Sequence, residues 1–221
     1  MDIAANLRDV QGRIARACER SHRSPGEITL VVVTKEVGVS AIRAAFDCGM
    51  RNFGENRVQE AEDKIAQLSE LKPDVTWHMV GHLQSNKARA AVELFDIIHS
   101  IDSIKLAEIL SRRAEKTFPV LLQVNVSGEA TKGGFVMGEI VNAVNEIKKL
   151  SNLKVMGLMT IAPLAADPEE VRPAFRKLRE LRDSLGLEHL SMGMTDDFEV
   201  AVEEGATMLR VGRAIFGERR Q

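Results

Sequence analysis

The chain has no tyrosine, one tryptophan and eight phenylalanines in 221 residues. A mechanism that uses a phenol as its base therefore has no residue to draw on. Its two cysteines, Cys18 and Cys48, sit in helix-like patterns without metal-ligand spacing. Each is expected to be a small buried hydrophobe in a reducing cytosol. Apolar runs are strand-length, far short of a spanning helix, so no membrane partner is expected. The start Met1-Asp2-Ile3-Ala4-Ala5-Asn6 lacks the basic opening and apolar block of a signal peptide, which predicts a cytoplasmic protein. Charge is balanced, 30 basic residues against 32 acidic, so no basic field points to nucleic acid. No Pro/Gly/Ser linker or low-complexity segment divides the chain, and one domain is expected over residues 1–221.

The pattern that is present begins with Ile28-Thr29-Leu30-Val31-Val32-Val33-Thr34-Lys35. This β-branched run reads as a strand buried on both faces, as in parallel sheets under helices. Before it, Ile3, Leu7, Val10, Ile14 and Ala17 recur at helical spacing. After it, strands are predicted at 52–55, 75–80, 97–101, 120–126, 153–161, 189–192 and 208–211. Helical patterns separate them, including Val58, Ala61, Ile65 and Leu68 with Glu60 four residues before Lys64 on the wet face. Thr195 or Asp196 is expected to cap the helix that runs through Phe198, Ala201 and Val202. The loop Ser127–Gly134 reads as a mobile lid or as a plain flexible loop. Eight strands alternating with helices predict an α/β protein, a (β/α)8 TIM barrel with an extra N-terminal helix; a doubly wound open sheet is the alternative.

Parallel α/β folds build sites at the carboxyl ends of their strands. Lys35 closes the first strand. Taken alone, it is either a solvated lysine or an amine held in a pocket. Ser191-Met192-Gly193-Met194-Thr195 and Val211-Gly212-Arg213-Ala214 put hydroxyls and glycines at the last two strand-to-helix junctions. Loops there commonly bind phosphate, because free N–H groups meet it and glycine lets the backbone approach. The alternative is that Thr195 only caps its helix. Arg210, inside the last strand, needs an acceptor, either a structural carboxylate or a ligand. A lysine, a phosphate cradle and an arginine between them fit pyridoxal 5′-phosphate (PLP), which has an aldehyde, a phosphate and a ring nitrogen.

At these residues the sequence resembles the YggS/PROSC family of PLP-binding, PLP-homeostasis proteins. The matching stretches include Val32-Val33-Thr34-Lys35, Asn52-Phe53-Gly54-Glu55-Asn56, Trp77 to Lys87, Val124-Asn125-Val126, Gly157 to Ile161, Ser191 to Met194 and Arg210 to Gly217. They follow the family's order over nearly the whole chain. One departure is Thr195, where the family usually has serine; a hydroxyl remains. The resemblance implies a barrel like the PLP domain of alanine racemase, with Lys35 as the Schiff-base lysine. It places Arg210 at the pyridine nitrogen, Ser191, Thr195, Gly212 and Arg213 around the phosphate, and Asn56 near the ring. An arginine there leaves the ring nitrogen without a proton, so bound PLP is a poor electron sink.

The function so implied is intracellular PLP homeostasis: a monomer that holds the cofactor for PLP-requiring apo-enzymes without robust catalysis. The alternative is an amino-acid racemase of the alanine racemase type. That enzyme sets a tyrosine opposite its lysine and carries a second, all-β domain. This chain has neither a tyrosine nor an all-β segment after the barrel pattern, and His82 is the replacement base to consider. A third reading, a sugar-phosphate isomerase without PLP, would use the same phosphate loops.

Overall fold

The β-branched run at the start forms a strand, β1 (Thr29–Val33), and seven further segments repeat its role around a ring. A computed structural model describes residues 2–129, 132–163 and 165–217. The other strands are β2 (Asn52–Glu55), β3 (Thr76–Met79), β4 (Ile97–Ile101), β5 (Phe118–Asn125), β6 (Phe135–Val136), β7 (Leu153–Met159), β8 (His189–Ser191) and β9 (Met208–Val211). All their pairings are parallel. The order β4-β3-β2-β1-β9-β8-β7-β5 is closed by a β4–β5 pairing. The result is an eight-stranded parallel barrel, and the open-sheet alternative is overturned. The two-residue β6 was not expected; it lies against β5 on the rim, with Val124 opposite Phe135.

The outer layer is helical: α1 (Ile3–Arg20), α2 (Val39–Asp47), α3 (Val58–Gln67), α4 (Ala88–Leu94), α5 (Ile104–Arg113), α6 (Ile140–Ile147), α7 (Arg172–Ser184), α8 (Phe198–Glu203) and α9 (Arg213–Phe216). The extra helix α1 buries Leu7, Val10, Ile14, Ala17 and Cys18. Asp2 caps it by accepting from the Ala5 amide at 2.9 Å. Its Asn6 side chain donates to the Ile215 carbonyl at 2.8 Å, tying the helix to α9. Two apolar layers result. One large cluster lies between strands and helices, and a small one, Ile97, Leu121, Met159 and Met208, fills the barrel. None of the described helices is long and apolar enough to cross a membrane.

Because side chains alternate along a strand, residues two apart share a face. The inward rows are therefore Val31-Val33, Asn52-Gly54, Ile97-His99, His189-Ser191 and Met208-Arg210. Lys35 and Asn56 come next in the first two rows, just past the strand ends.

Several local expectations change. Cys48 is exposed at the end of α2, while Cys18 is buried as expected. The α8 cap is Asp197, not Thr195 or Asp196. The Asp197 carboxylate turns back and accepts from the Met194 amide at 2.6 Å. Lys64 is on no wet face: it is 8% exposed. The loop Ser127–Gly134, read as a lid or a plain flexible loop, falls in part on residues 130 and 131, which lie outside the described residues.

Candidate functional site at the carboxyl end of the barrel

The strand register brings the expected site residues together. Val32 pairs with Phe53 and Val211, so the ends of β1, β2 and β9 lie side by side. Lys35 follows β1, Asn56 follows β2, and Gly212 and Arg213 follow β9. Gly212 packs against β1 so closely that a Cβ there would lie 2.9 Å from the Val33 carbonyl oxygen. The loops after β8 and β9 are joined as well: the Ala214 amide donates to the Thr195 hydroxyl at 3.3 Å. The Arg213 side chain turns outward to Asp196, so what Arg213 offers the barrel mouth is its backbone amide.

Arg210 lies in the barrel interior, 5% exposed. Two of its donors are engaged, one by the Ser191 hydroxyl at 2.6 Å and one by the Thr160 carbonyl at 2.7 Å. Neither acceptor carries charge. Burial pushes its pKa down to about 10, against the pull of Asp197, so Arg210 is still a cation at neutral pH. The Ser191 hydroxyl is fully buried and bonded to Arg210 and to His99 Nδ1, 2.8 Å away.

The chain of contacts continues. His99 Nε2 meets His78 Nδ1 at 2.9 Å, and His78 Nε2 meets Asn52 Oδ1 at 3.0 Å. One polarity satisfies every member. Arg210 donates to Ser191, Ser191 to His99, His99 to His78, and His78 to the Asn52 carbonyl. Both histidines are neutral in this arrangement. Burial lowers the pKa of His78 to about 3 and that of His99 well below its usual value, with Arg210 and His78 adding to the latter. Sequence reading gave these two histidines no role. The signal available was a polar residue on the inward row of an otherwise apolar strand.

Asn56 has a buried carbonyl oxygen with no hydrogen-bond partner, an unusual cost for a native side chain. Its backbone is crowded by the loop after β3: a Cβ on Gly81 would lie 2.3 Å from the Asn56 carbonyl oxygen. Across the mouth a cavity of about 250 Å³ is lined by His82, Gln123, Asn125 and Lys132, among others. His82 is paired with Asp102 at 3.1 Å and its side chain is 70% exposed.

Together, the closed parallel barrel and the cation, lysine and paired glycine loops toward its carboxyl end define an α/β barrel protein with a polar site at its strand ends. The profile of the alanine racemase N-terminal domain family matches residues 5–220, and the chain belongs to that family. Within it the chain groups with the pyridoxal phosphate homeostasis proteins. It is 45% identical to that of Aquifex aeolicus over 100% of both chains. It is 41% identical to that of Escherichia coli over 99% of this chain and 97% of the relative. These relatives are named for homeostasis rather than for a catalysed reaction. Among solved structures, PipY of Synechococcus elongatus with PLP bound is 40% identical, with a TM-score of 0.85 over 98% of this chain and all of PipY. An alanine racemase from Corynebacterium glutamicum, 19% identical, shares the fold with a TM-score of 0.72; this chain spans 60% of its length.

Proposed function

We propose that the barrel mouth binds pyridoxal 5′-phosphate, anchored on Lys35, and that the protein stores and hands over this cofactor. The observation that carries the reading is Arg210: a buried cation on the strand next to β1, level with Val31 in the row that leads to Lys35, held by a hydroxyl and a carbonyl rather than by a carboxylate. A buried charge of this kind calls for a polar partner. The ring nitrogen of PLP is an acceptor of suitable chemistry. Two further features fit. The orphaned Asn56 oxygen offers a contact near the ring. The close approach of Gly212 to β1 leaves no room there for a side chain.

When bound, PLP supplies an aldehyde that condenses reversibly with an amine. The residues of this chain do the rest. Lys35 provides the amine. The Thr195 hydroxyl and the Gly212 and Arg213 amides hold the phosphate. Asn56 lies beside the ring, and Arg210 donates to its nitrogen. Ser191 acts one step back by fixing Arg210. Since Arg210 stays charged, it donates the hydrogen bond and does not take up a proton, which leaves the ring unprotonated and a poor electron sink. This favours a carrier without a robust catalytic cycle over a racemase, as does the lack of tyrosine. His82, the replacement base considered, lines the mouth cavity, is 70% exposed and is paired with Asp102. We read the carrier as a single-domain cytoplasmic monomer that serves PLP-requiring apo-enzymes. Two free thiols suit a reducing compartment.

The test is titration with PLP, followed by borohydride reduction and peptide mapping. A visible band should rise with PLP, and reduction should fix the label on the peptide containing Lys35. Lys35→Ala should lose that band while keeping the far-UV circular dichroism of the wild type. A colourless wild-type protein, or a label elsewhere, overturns the assignment.

A further inference from the structure

Lys35 stands between two residues whose main chains are tied to one buried ion cluster. On its amino side, the Thr34 amide continues the sheet by donating to the Gly54 carbonyl at 2.8 Å. The Thr34 hydroxyl donates to Glu55 Oε1 at 2.6 Å. The Thr34 carbonyl accepts from Lys64 Nζ at 2.5 Å and from the Val37 amide at 3.0 Å. On the carboxyl side, the Glu36 amide donates to Glu60 Oε1 at 2.5 Å. Glu36 itself is held at φ 61°, a left-handed conformation that costs a non-glycine residue free energy.

Lys64, on α3, joins the two halves. Its amine reaches Thr34 O, Glu55 Oε1 at 2.9 Å and Glu60 Oε1 at 2.6 Å. An ammonium has three N–H donors, and these three partners use them all. Packing alone does not explain the choice of residue. A buried ion pair is seldom better for stability than apolar residues of similar size, and α3 already docks through Val58, Ala61 and Ile65. What charges add is direction. They hold the carbonyl before Lys35 and, through Glu60, the amide after it.

We propose that Lys64, with Glu55 and Glu60, is a positioning clamp that fixes the turn carrying Lys35, so that its amine is presented to the carbonyl group it binds. The proposal rests on the reading of Lys35 as the PLP anchor. Lys64 and Glu60 are positioning residues: they act through their bonds to the backbone at 34 and 36.

Glu60 gives the cleanest test, because its side chain is 25% exposed and its loss leaves the buried Lys64–Glu55 pair in place. Glu60→Gln keeps an acceptor for the Glu36 amide, whereas Glu60→Ala removes it. In the protein without PLP, amide hydrogen exchange at Glu36 should be about tenfold faster in Glu60→Ala and near wild type in Glu60→Gln, the factor for one charge-assisted bond. On adding PLP, the borohydride-fixable label on Lys35 should form about tenfold more slowly in Glu60→Ala and near the wild-type rate in Glu60→Gln. Lys64→Met should behave like Glu60→Ala, with a lower melting temperature as well. Labelling of Glu60→Ala at the wild-type rate despite fast Glu36 exchange would overturn the clamp. So would equal impairment of the Gln and Ala variants, which would mark a general charge or stability effect. If wild-type protein itself takes no label on Lys35, the PLP reading fails, while the exchange result still reports on the clamp.

Discussion

At the scale of single residues, the barrel interior is organised by a line of hydrogen bonds. Arg210, Ser191, His99, His78 and Asn52 come from four inward rows and β3, yet they form one continuous path. Its cost is the neutrality of two histidines. An ordinary histidine titrates at 6.5, whereas burial takes His78 to about 3. Between these values the unfolded chain binds a proton that the folded chain refuses, so stability falls as pH drops below about 6.5. The slope is about 1.4 kcal/mol per pH unit for each such histidine. Glu55 and Asp197 act in the opposite sense, because burial raises both carboxyls. The comparison is therefore between variants. His78→Asn keeps an acceptor for His99 but cannot titrate. Its urea-derived stability should fall less steeply between pH 7 and pH 5 than that of the wild type. Parallel slopes would show that His78 is already protonated in the folded protein.

At the scale of elements, the loops after β2 and β3 are interlocked. Gly81→Ala would push a methyl group into the Asn56 backbone, and the loop carrying the orphaned Asn56 oxygen would have to shift. Overpacking of this kind costs about 1–3 kcal/mol. The expected result is a lower urea midpoint and about tenfold weaker PLP binding by fluorescence titration. Gly138→Ala is the control, since nothing lies within 4 Å of the added group. Strand positions were largely legible in the sequence, because burial on both faces gives short apolar runs rich in β-branched residues, such as Leu30 to Val33 and Ile97-Ile98. The strand-end residues Lys35, Asn56 and Gly212 were legible for the same reason. What escaped depends on pairing between distant segments. The two residues of β6 carry no periodicity. The Glu60–Lys64 pair looks like any exposed i, i+4 pair until Glu55 and Thr34, 9 and 30 residues from Lys64, are set against it. The contact between Ser191 and His99 escaped because the two residues lie 92 positions apart. Cys48 follows a helical pattern but falls at the frayed end, where the buried stripe has already ended.

At the scale of the whole molecule, the same barrel serves chemically different proteins. The Corynebacterium glutamicum alanine racemase shares it at 19% identity and extends well beyond it. Fold likeness at that distance says nothing about turnover, so the distinction has to come from the residues at the mouth. Racemisation needs a base on each side of the substrate carbon and a cofactor ring able to take up negative charge. On one side, the proposed anchor Lys35 would serve. On the other no tyrosine exists anywhere in the sequence. The ring nitrogen would face Arg210, whose pKa, even lowered to about 10, keeps it a cation across the physiological range. On the proposed reading, the missing tyrosine and the arginine at the ring nitrogen each weigh against turnover, and changing one alone should not create an enzyme. The expectation is that PLP-loaded protein converts L-alanine to D-alanine in a chiral assay no faster than the same concentration of free PLP. Arg210→Glu, which would favour a protonated ring, should leave racemisation near background, because the chain has no tyrosine to act from the opposite face. Saturable wild-type turnover with stoichiometric product would reject the carrier reading and turn attention to His82 and its partner Asp102 as the missing base.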